Sequence, residues 1–125
     1  MHILVVDDNI MDRKYLKYVL ENHLHYTPKM AKDGQEAINK LKNSHFDLVI
    51  TDIVMPNVDG FELIQYIKSN CPSTSIVAIT GKNQCFLQIV NKLGVPKTFT
   101  KPVEPSRLVE HINHLFKSLS KSACA

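Results

Sequence analysis

One stretch of the chain, residues 46–56 with the sequence FDLVITDIVMP, limits the possible folds most strongly. Its β-branched and large apolar residues predict a buried strand of a parallel sheet. Asp52 falls where that strand gives way to a loop, and Pro56 prevents continuation because proline has no backbone N–H. A lone aspartate in such a place is more often a turn or cap residue. However, open α/β sheets place their chemistry at the carboxyl ends of strands, so we expect Asp52 to be presented there rather than buried in the sheet.

Short apolar runs alternate with amphipathic stretches along the whole chain. The predicted strands cover 3–6, 26–31, 48–51, 76–80 and 98–100, the second being a weak edge strand. Helix signals lie at 10–22, after Asp33, after Asp59, before Gly94 and from Pro105. Five strand-then-helix units with short connections imply right-handed crossovers and a mainly parallel sheet with helices on both faces. The 125 residues therefore predict a single α/β domain spanning residues 1–125.

Helical spacing also predicts which side chains face the core. They are Leu16, Leu20, Ala37, Ile38, Leu41, Phe61, Leu63, Ile64, Ile67, Phe86, Ile89 or Val90, Leu93, Leu108, Ile112, Leu115 and Leu119, with Tyr15, Tyr18, Val19 and Asn22 on a mixed face of the first helix.

Composition excludes several classes of protein. No apolar run reaches the length of a membrane span or a signal-peptide core, which predicts an intracellular, cytoplasmic protein. The cysteines at 71, 85 and 124 are odd in number and lack C-x-x-C spacing, which favours free thiols. The net charge of +3 comes from Lys and Arg residues spread along the chain, which is typical of a solvated surface. This surface would suit a partner with an acidic face, and the basic tail keeps a nucleic-acid-binding module as an alternative.

Polar residues fall at or just beyond the ends of four predicted strands: Asp7, Asp8, Asp52, Thr80 and Lys101. Parallel strands joined by crossovers share a direction, so these residues should meet at one edge. Two unit charges about 4 Å apart repel by roughly 4 kcal/mol at an effective dielectric constant of about 20, so the carboxylates need a cation. Oxygen ligands without His or Cys favour Mg²⁺ first and Mn²⁺ second. Mg²⁺ also favours phosphate ligands, so the site is expected to be completed by a phosphoryl group.

The same residues carry a resemblance to a known family. The fragments VVDDN at 5–9, DLVITD at 47–52 with MP at 55–56 and DG at 59–60, ITG at 79–81 and FTKP at 99–102 occur in this order. Together they resemble the receiver domain of two-component response regulators over essentially the whole chain. The resemblance implies a flavodoxin-like, doubly wound, five-stranded parallel sheet of order 2-1-3-4-5 with five helices.

The resemblance also implies residue roles. Asp52 would be phosphorylated, Asp8 would bind Mg²⁺ directly and Asp7 mainly through water. The carbonyl oxygen of Val54 would be a further metal ligand, and Thr80 would hydrogen-bond the phosphoryl group.

The last matching fragment implies the remaining roles. Lys101 would pair with the phosphoryl charge, the Lys101–Pro102 peptide would be cis, and Phe99 would be the aromatic switch residue. A histidine kinase or phosphotransfer protein would donate the phosphoryl group, and output would pass through helix 4, strand 5 and helix 5. Such a domain is not an enzyme in the usual sense, because it catalyses only its own phosphorylation and dephosphorylation.

Other classes share parts of this pattern. A flavodoxin-like small-ligand binding protein would need a phosphate-binding loop after strand one, where this chain has Asp7 and Asp8. A haloacid-dehalogenase-like phosphatase would need a second carboxylate at position 54, where this chain has valine. In the receiver family, the residues two beyond the phosphorylated aspartate and two beyond the threonine flank the path of the hydrolytic water. The resemblance therefore implies that Val54 and Lys82 flank this path here. Valine cannot orient that water, and Lys82 could occupy the approach, so we expect slow self-dephosphorylation.

Overall fold

The computed structural model of the protein describes residues 1–55, 57–81, 84–95 and 97–124, without the side chains of 84–87 and 118–124. The strands are β1 Ile3–Val6, β2 Lys29–Ala31, β3 Leu48–Asp52, β4 Ser75–Thr80 and β5 Lys97–Thr100. The helices are α1 Ile10–His23, α2 Gly34–Asn43, α3 Gly60–Asn70, α4 Gln84–Lys92 and α5 Pro105–Cys124. The strict alternation of strand and helix confirms the predicted α/β class.

All strand pairs are parallel, and the sheet order is β2-β1-β3-β4-β5. This is the predicted flavodoxin-like order, with β3 at the centre. Its register places Val6 opposite Thr51, and Asp52 opposite Ile79, so the ends of β1, β3 and β4 lie side by side. Thr80 pairs with Thr100, which brings the end of β5 to the same edge.

The second strand is shorter than the predicted 26–31. The strand begins only at Lys29, because the backbone before it forms hydrogen bonds to the end of helix α1 instead. The Tyr26 backbone N–H donates to the Leu20 carbonyl oxygen at 3.2 Å, and His25 has a positive φ of 59°. Pro28 therefore precedes the edge strand rather than lying within it. Differences elsewhere are confined to ends: β3 includes Asp52, and β4 and β5 each begin one residue earlier than predicted.

The sheet separates two apolar layers because successive side chains of a strand point to opposite faces. Leu4, Val49 and Ala78 pack with α2 and α3 on one face, and Val5, Ile50 and Val77 pack with α1 and α5 on the other. Burying one large aliphatic side chain stabilises a fold by about 1.5–3 kcal/mol, so both layers contribute strongly. Helices cover both faces of the central strands, so β1 and β3 are buried throughout, including the polar Thr51 and Asp52 at the end of β3.

Most predicted core-facing helix residues are buried or packed against the core. The exceptions among described residues are Tyr15, Tyr18 and Asn22, which are exposed while Val19 is buried, and Ile89, which is exposed while Val90 is buried. Helix α1 therefore uses a narrower apolar stripe than its sequence suggests. The side chains of Phe86 and Leu119 lie outside the described residues.

Local signals in the sequence set the helix ends. Asn9, Asp33 and Asp59 are the N-caps of α1, α2 and α3, and each accepts hydrogen bonds from backbone N–H groups of its first turn. Gly94 has a φ of 86° just after α4, as predicted for a left-handed C-terminal cap. Within the described part of the chain, no helix is both long and apolar enough to cross a membrane. Cys71 is a free thiol.

Candidate functional site

Three carboxylates converge at the carboxyl edge of the sheet. One carboxylate oxygen from each of Asp7, Asp8 and Asp52 lies within 4.8 Å of the others. Asp7 directly follows β1 and is held there by its backbone N–H, which donates to the Ala31 carbonyl oxygen at 3.1 Å. Asp8 is exposed, whereas Asp7 and Asp52 are only 1% and 7% exposed. The expectation that Asp52 would be presented rather than buried in the sheet is therefore wrong, because Asp52 is the last residue of β3 and its carboxylate is hydrogen-bonded to Lys101.

Lys101 lies among these carboxylates. Its Nζ donates to Asp12 Oδ2 at 2.8 Å, to Asp7 Oδ2 at 3.0 Å and to Asp52 Oδ2 at 3.1 Å. The Lys101–Pro102 peptide is cis, as the resemblance implied. The predicted pairing of Lys101 with the aspartate cluster is thus present in the fold, with one carboxylate more than expected.

Burial and ion pairing have opposite effects on the pKa values of Asp7 and Lys101. Burial favours the neutral form of each group, and the ion pairs favour the charged form. Burial raises the pKa of the Asp7 carboxyl to about 6, against the lowering effect of hydrogen bonds from the Asn9 backbone and from Lys101. For Lys101, burial disfavours the ammonium form, but the three carboxylates outweigh it and raise its pKa. Lys101 is therefore charged, whereas Asp7 carries a carboxylate that the protein alone does not fully stabilise.

Helix α1 contributes two side chains that the sequence reading missed. Asp12, in the first turn, makes the shortest contact with Lys101, and Arg13 Nη1 donates to the Asp7 carbonyl oxygen at 2.7 Å. Asn9 is the signal that could have located them. As the N-cap it fixes where α1 begins, and the backbone N–H of Asn9 donates to Asp7 Oδ1 at 2.9 Å. The first turn is thereby held against the end of β1.

Thr80 ends β4 beside the cluster, and its side chain is 1% exposed. Its Oγ1 is buried and has no hydrogen-bond partner among the described residues. Buried hydroxyl groups almost always have partners, so an unsatisfied one calls for an explanation such as a ligand. The predicted role of Thr80 as a donor to an anionic group is compatible with this position.

Phe99 lies on β5, two residues before Lys101. It is opposite Ile79 of β4 and is 9% exposed. Its ring contacts the His111 ring edge-on, with centroids 6.1 Å apart, and Lys97 Nζ lies 5.4 Å from its centroid. The predicted switch residue therefore lies between the sheet and α5, close to the outer surface of the molecule.

The loop after β3 is fixed by backbone contacts. The Ile53 N–H donates to Asp52 Oδ1 at 2.7 Å, and the Gly60 N–H donates to the Ile53 carbonyl oxygen at 2.8 Å. A Cβ on Gly60 would lie 2.5 Å from the Asp52 carbonyl oxygen, so only glycine fits at the start of α3. Val54, two residues after Asp52, is 58% exposed. Lys82, the other residue named for the water path, lies outside the described residues.

The donor set fits a hard divalent cation. The candidate ligands are carboxylate oxygens, and two of the three carboxylates are buried. Lys101 supplies a single positive charge to them, and a second cation would favour the ionised form of Asp7. Hard cations such as Mg²⁺ prefer such oxygen ligands. The cluster can therefore hold a metal ion of this class.

The sequence matches the family model of the response regulator receiver domain over residues 3–113. The chain belongs to the receiver domain family. It is 34% identical over 125 residues to the autoinducer 1 sensor kinase/phosphatase LuxN of Vibrio campbellii, covering 98% of this chain and 14% of that protein. It is 32% identical over 116 residues to the chemotaxis protein CheY of Thermotoga maritima, covering 92% of this chain and 97% of CheY.

Solved structures agree with this assignment. A CheY-like response regulator receiver domain from Methanospirillum hungatei JF-1 superimposes with a TM-score of 0.88 at 27% identity, covering 97% of each chain. Receiver domains act in two-component signalling as phospho-acceptors and are not classical enzymes. The flavodoxin-like ligand-binding and nucleic-acid-binding alternatives are therefore not supported. The chain spans only 14% of the length of LuxN, so the activity of the whole LuxN protein is not assigned to it.

Proposed function

We propose that this receiver domain, residues 1–125, accepts a phosphoryl group on Asp52 from the phosphohistidine of a sensor histidine kinase or phosphotransfer protein. The observation that carries the proposal is the convergence of Asp7, Asp8 and Asp52 around one edge with Lys101 Nζ among them. Such a site suits a transfer reaction in which positioning and charge neutralisation provide most of the catalysis.

In this proposal the Asp52 carboxylate attacks the phosphorus atom in line with the bond to the donor nitrogen. A new oxygen–phosphorus bond forms, the phosphorus–nitrogen bond breaks, and the nitrogen keeps the bonding electron pair. Both oxygens of Asp52 accept hydrogen bonds: Oδ1 from the Ile53 backbone N–H and Oδ2 from Lys101. Asp52 Oδ2 is the candidate nucleophile, because Lys101 would shift its hydrogen bond to the phosphoryl group, whereas the backbone N–H stays on Oδ1. No general base is required, since a carboxylate attacks in its ionised form.

The metal in this proposal is Mg²⁺, with Mn²⁺ as a substitute. Asp8, Asp52 and the Val54 carbonyl oxygen would hold it directly, and Asp7 mainly through water. When bound, it supplies charge neutralisation for the phosphoryl oxygens. Lys101 would transfer one of its hydrogen bonds to the phosphoryl group, and the unpartnered Thr80 hydroxyl would donate another.

We propose that the output surface comprises α4, β5 and α5. If Thr80 moves toward the phosphoryl group, space opens beside β4, and the Phe99 ring on the neighbouring strand can fill it. Lys97 and Lys117 are exposed on β5 and α5, whereas the exposed Arg107 pairs with Glu104 at 3.3 Å. The two lysines favour an output partner with an acidic face. The domain would act in the cytoplasm, where phosphohistidine donors of two-component systems are available.

A protein donor is supported by the surroundings of the site. Ile10, Met11 and Val54 are more than half exposed, although they are large apolar residues, and all three lie in segments that begin at the site. Exposed apolar side chains around one site are typical of protein contact surfaces. A protein that carries the phosphohistidine could therefore approach Asp52 while its neighbouring residues cover these side chains.

Metal-dependent phosphorylation tests this proposal. With acetyl phosphate as donor and Mg²⁺ present, the intact protein should gain the mass of one phosphoryl group. The gain should disappear with EDTA and should be strongly reduced in Asp8→Asn. Asp59→Asn is the matched control, because Asp59 caps α3 and is not in the cluster. Labelling that is unaffected both by EDTA and by Asp8→Asn would contradict the metal assignment.

A further inference from the structure

The ammonium group of Lys101 has no free donor in this structure. An ammonium has three N–H bonds, and Lys101 Nζ contacts three carboxylate oxygens, those of Asp12, Asp7 and Asp52. A phosphoryl oxygen can therefore bind Lys101 only if one of these three contacts is given up. The order in which they are released bears directly on how readily the site accepts an anion.

Asp12 differs from the other two partners. Asp7 and Asp52 are almost completely buried and belong to the metal-binding cluster, whereas the Asp12 side chain is 41% exposed and does not. Nevertheless, Asp12 makes the shortest contact with Lys101, at 2.8 Å. It therefore acts on the site through Lys101 and has no other described ionic partner.

Helix α1 holds the segment around Lys101 at two points. Besides Asp12, Tyr15 donates its hydroxyl hydrogen to the Val103 carbonyl oxygen at 2.8 Å. Asp12, Tyr15 and Lys101 also line one cavity between α1 and the segment that follows β5. Because Tyr15 fixes this segment independently, loss of the Asp12 charge should release the Lys101 side chain without displacing its backbone.

We propose that Asp12 is a positioning residue that restrains Lys101 and competes with the incoming phosphoryl group for it. The inference rests on the proposed function of Asp52. A phosphoryl donor meets both the negative charge of Asp12 and an ammonium group that Asp12 partly neutralises. Asp12 thereby slows phosphorylation of the resting domain and limits how strongly Lys101 binds the phosphoryl group afterwards.

The variant Asp12→Asn tests this inference. With acetyl phosphate at saturating Mg²⁺, the phosphorylation rate should rise about threefold to tenfold, as expected when one unit charge beside a partly exposed anion site is removed. Asp12→Glu, which retains the charge and can reach Lys101, should keep a rate near that of the wild type. Glu21→Gln is the matched control, since it removes one negative charge from α1 about 13 Å further along the helix axis.

A second readout is independent of phosphorylation. In protein with ¹⁵N-labelled lysine side chains and no phosphoryl donor, the Lys101 Nζ resonance should shift in Asp12→Asn and stay in place in Glu21→Gln. If wild type and all variants resist phosphorylation, the function of Asp52 is wrong, and this resonance still decides whether Asp12 restrains Lys101.

A role limited to stabilising the first turn of α1 predicts a different pattern. Asp12→Asn would then lower the melting temperature without changing the phosphorylation rate or the Lys101 resonance. An unchanged or slower rate in Asp12→Asn, or an equal increase in Glu21→Gln, would overturn the proposal.

Discussion

Four aspartates and one ammonium group meet at the edge of the sheet in this receiver domain, and three of the aspartates share the ammonium. Asp7, Asp12 and Asp52 contact Lys101 directly, and Asp8 completes the oxygen cluster from the exposed side. One ammonium group balances only one of these negative charges, so uncompensated charge remains in a partly buried site. Asp7 shows this most clearly, because burial raises the pKa of its carboxyl.

Asp7 makes the stability of the metal-free domain depend on pH. Burial raises its folded-state pKa from 3.8 to about 6, so its contribution to stability is present below 3.8 and is lost as pH rises through about 6. In EDTA, Asp7→Asn should remove this loss and increase the free energy of unfolding at neutral pH by about 1–2 kcal/mol. Urea unfolding between pH 4 and 8 checks this, and saturating Mg²⁺ should reduce the advantage.

Asp33 is a control, because its folded-state pKa is shifted in the opposite direction to that of Asp7. A hydrogen bond from the Glu36 backbone lowers the pKa of Asp33, so its contribution is present above 3.8 and is lost as pH falls through the lowered value. Asp33→Asn should therefore alter the acid limb of the stability profile, whereas Asp7→Asn alters the limb above 3.8. Identical profiles for the two variants would contradict the assignment of the Asp7 burial effect.

The unpartnered hydroxyl of Thr80 gives a second residue-scale prediction. Thr80→Val removes a buried, unsatisfied polar atom, so the unphosphorylated protein should be equally stable or up to about 1 kcal/mol more stable. The phosphorylated fraction reached with acetyl phosphate should fall, because valine cannot donate a hydrogen bond. Thr74→Val is the control. Its hydroxyl donates to the Phe46 carbonyl oxygen at 2.8 Å, and its loss should destabilise by about 1 kcal/mol or more. Destabilisation of Thr80→Val equal to that of Thr74→Val would contradict this account.

At the scale of elements, the site is assembled from strand ends and helix starts. Strands β1, β3, β4 and β5 deliver Asp7, Asp52, Thr80 and Lys101 to one edge, and the first turn of α1 delivers Asp12. The distance between β3 and α3 is set by Gly60. Its backbone packs so closely on Asp52 and Ile53 that a side chain has no space. Asp52, the proposed nucleophile, is therefore held by the backbone as well as by its ionic partner Lys101.

This close approach predicts that Gly60→Ala destabilises the domain. The added Cβ would lie 2.5 Å from the Asp52 carbonyl oxygen and from Ile53 Cα, both of them backbone atoms. Overpacking of this kind costs about 1–3 kcal/mol, and the shift of β3 should also slow phosphorylation. Gly81→Ala is the matched control, since nothing lies within 4 Å of its added Cβ. Chemical denaturation compares the two, and equal stabilities would show that α3 can move away from β3 at little cost.

At the scale of the whole molecule, the alternation of apolar runs and amphipathic stretches predicted the α/β class, and the family resemblance implied the sheet order that the structure shows. Parallel strands bring their carboxyl ends together, which is why Asp7, Asp52 and Lys101 could be expected at one edge before the structure showed them there. The sequence pattern overestimated β2, because the bond from Tyr26 to Leu20 depends on how α1 ends in space. It missed Asp12 for a similar reason, since periodicity does not reveal how closely the first turn of α1 approaches β5.

The apolar layer between the sheet and α5 offers a route from the carboxylate site to the proposed output surface. Thr80 and Phe99 lie on neighbouring central and edge strands, and Phe99 shares one layer with α5 residues such as Leu108 and Ile112. Densely packed cores adopt discrete arrangements rather than deforming gradually. A phosphoryl group can shift such an equilibrium only by as much as it binds one arrangement better than the other.

Locating the phosphoryl group on the chain is the measurement that tests the central claim most directly. The protein is phosphorylated with acetyl phosphate and Mg²⁺ and then reduced with borohydride, which converts an aspartyl phosphate to homoserine. Peptide mass spectrometry should find homoserine at position 52, and Asp52→Asn should remain folded and unlabelled. Homoserine at Asp7, Asp8 or Asp12 instead, or wild-type labelling of Asp52→Asn, would contradict the account.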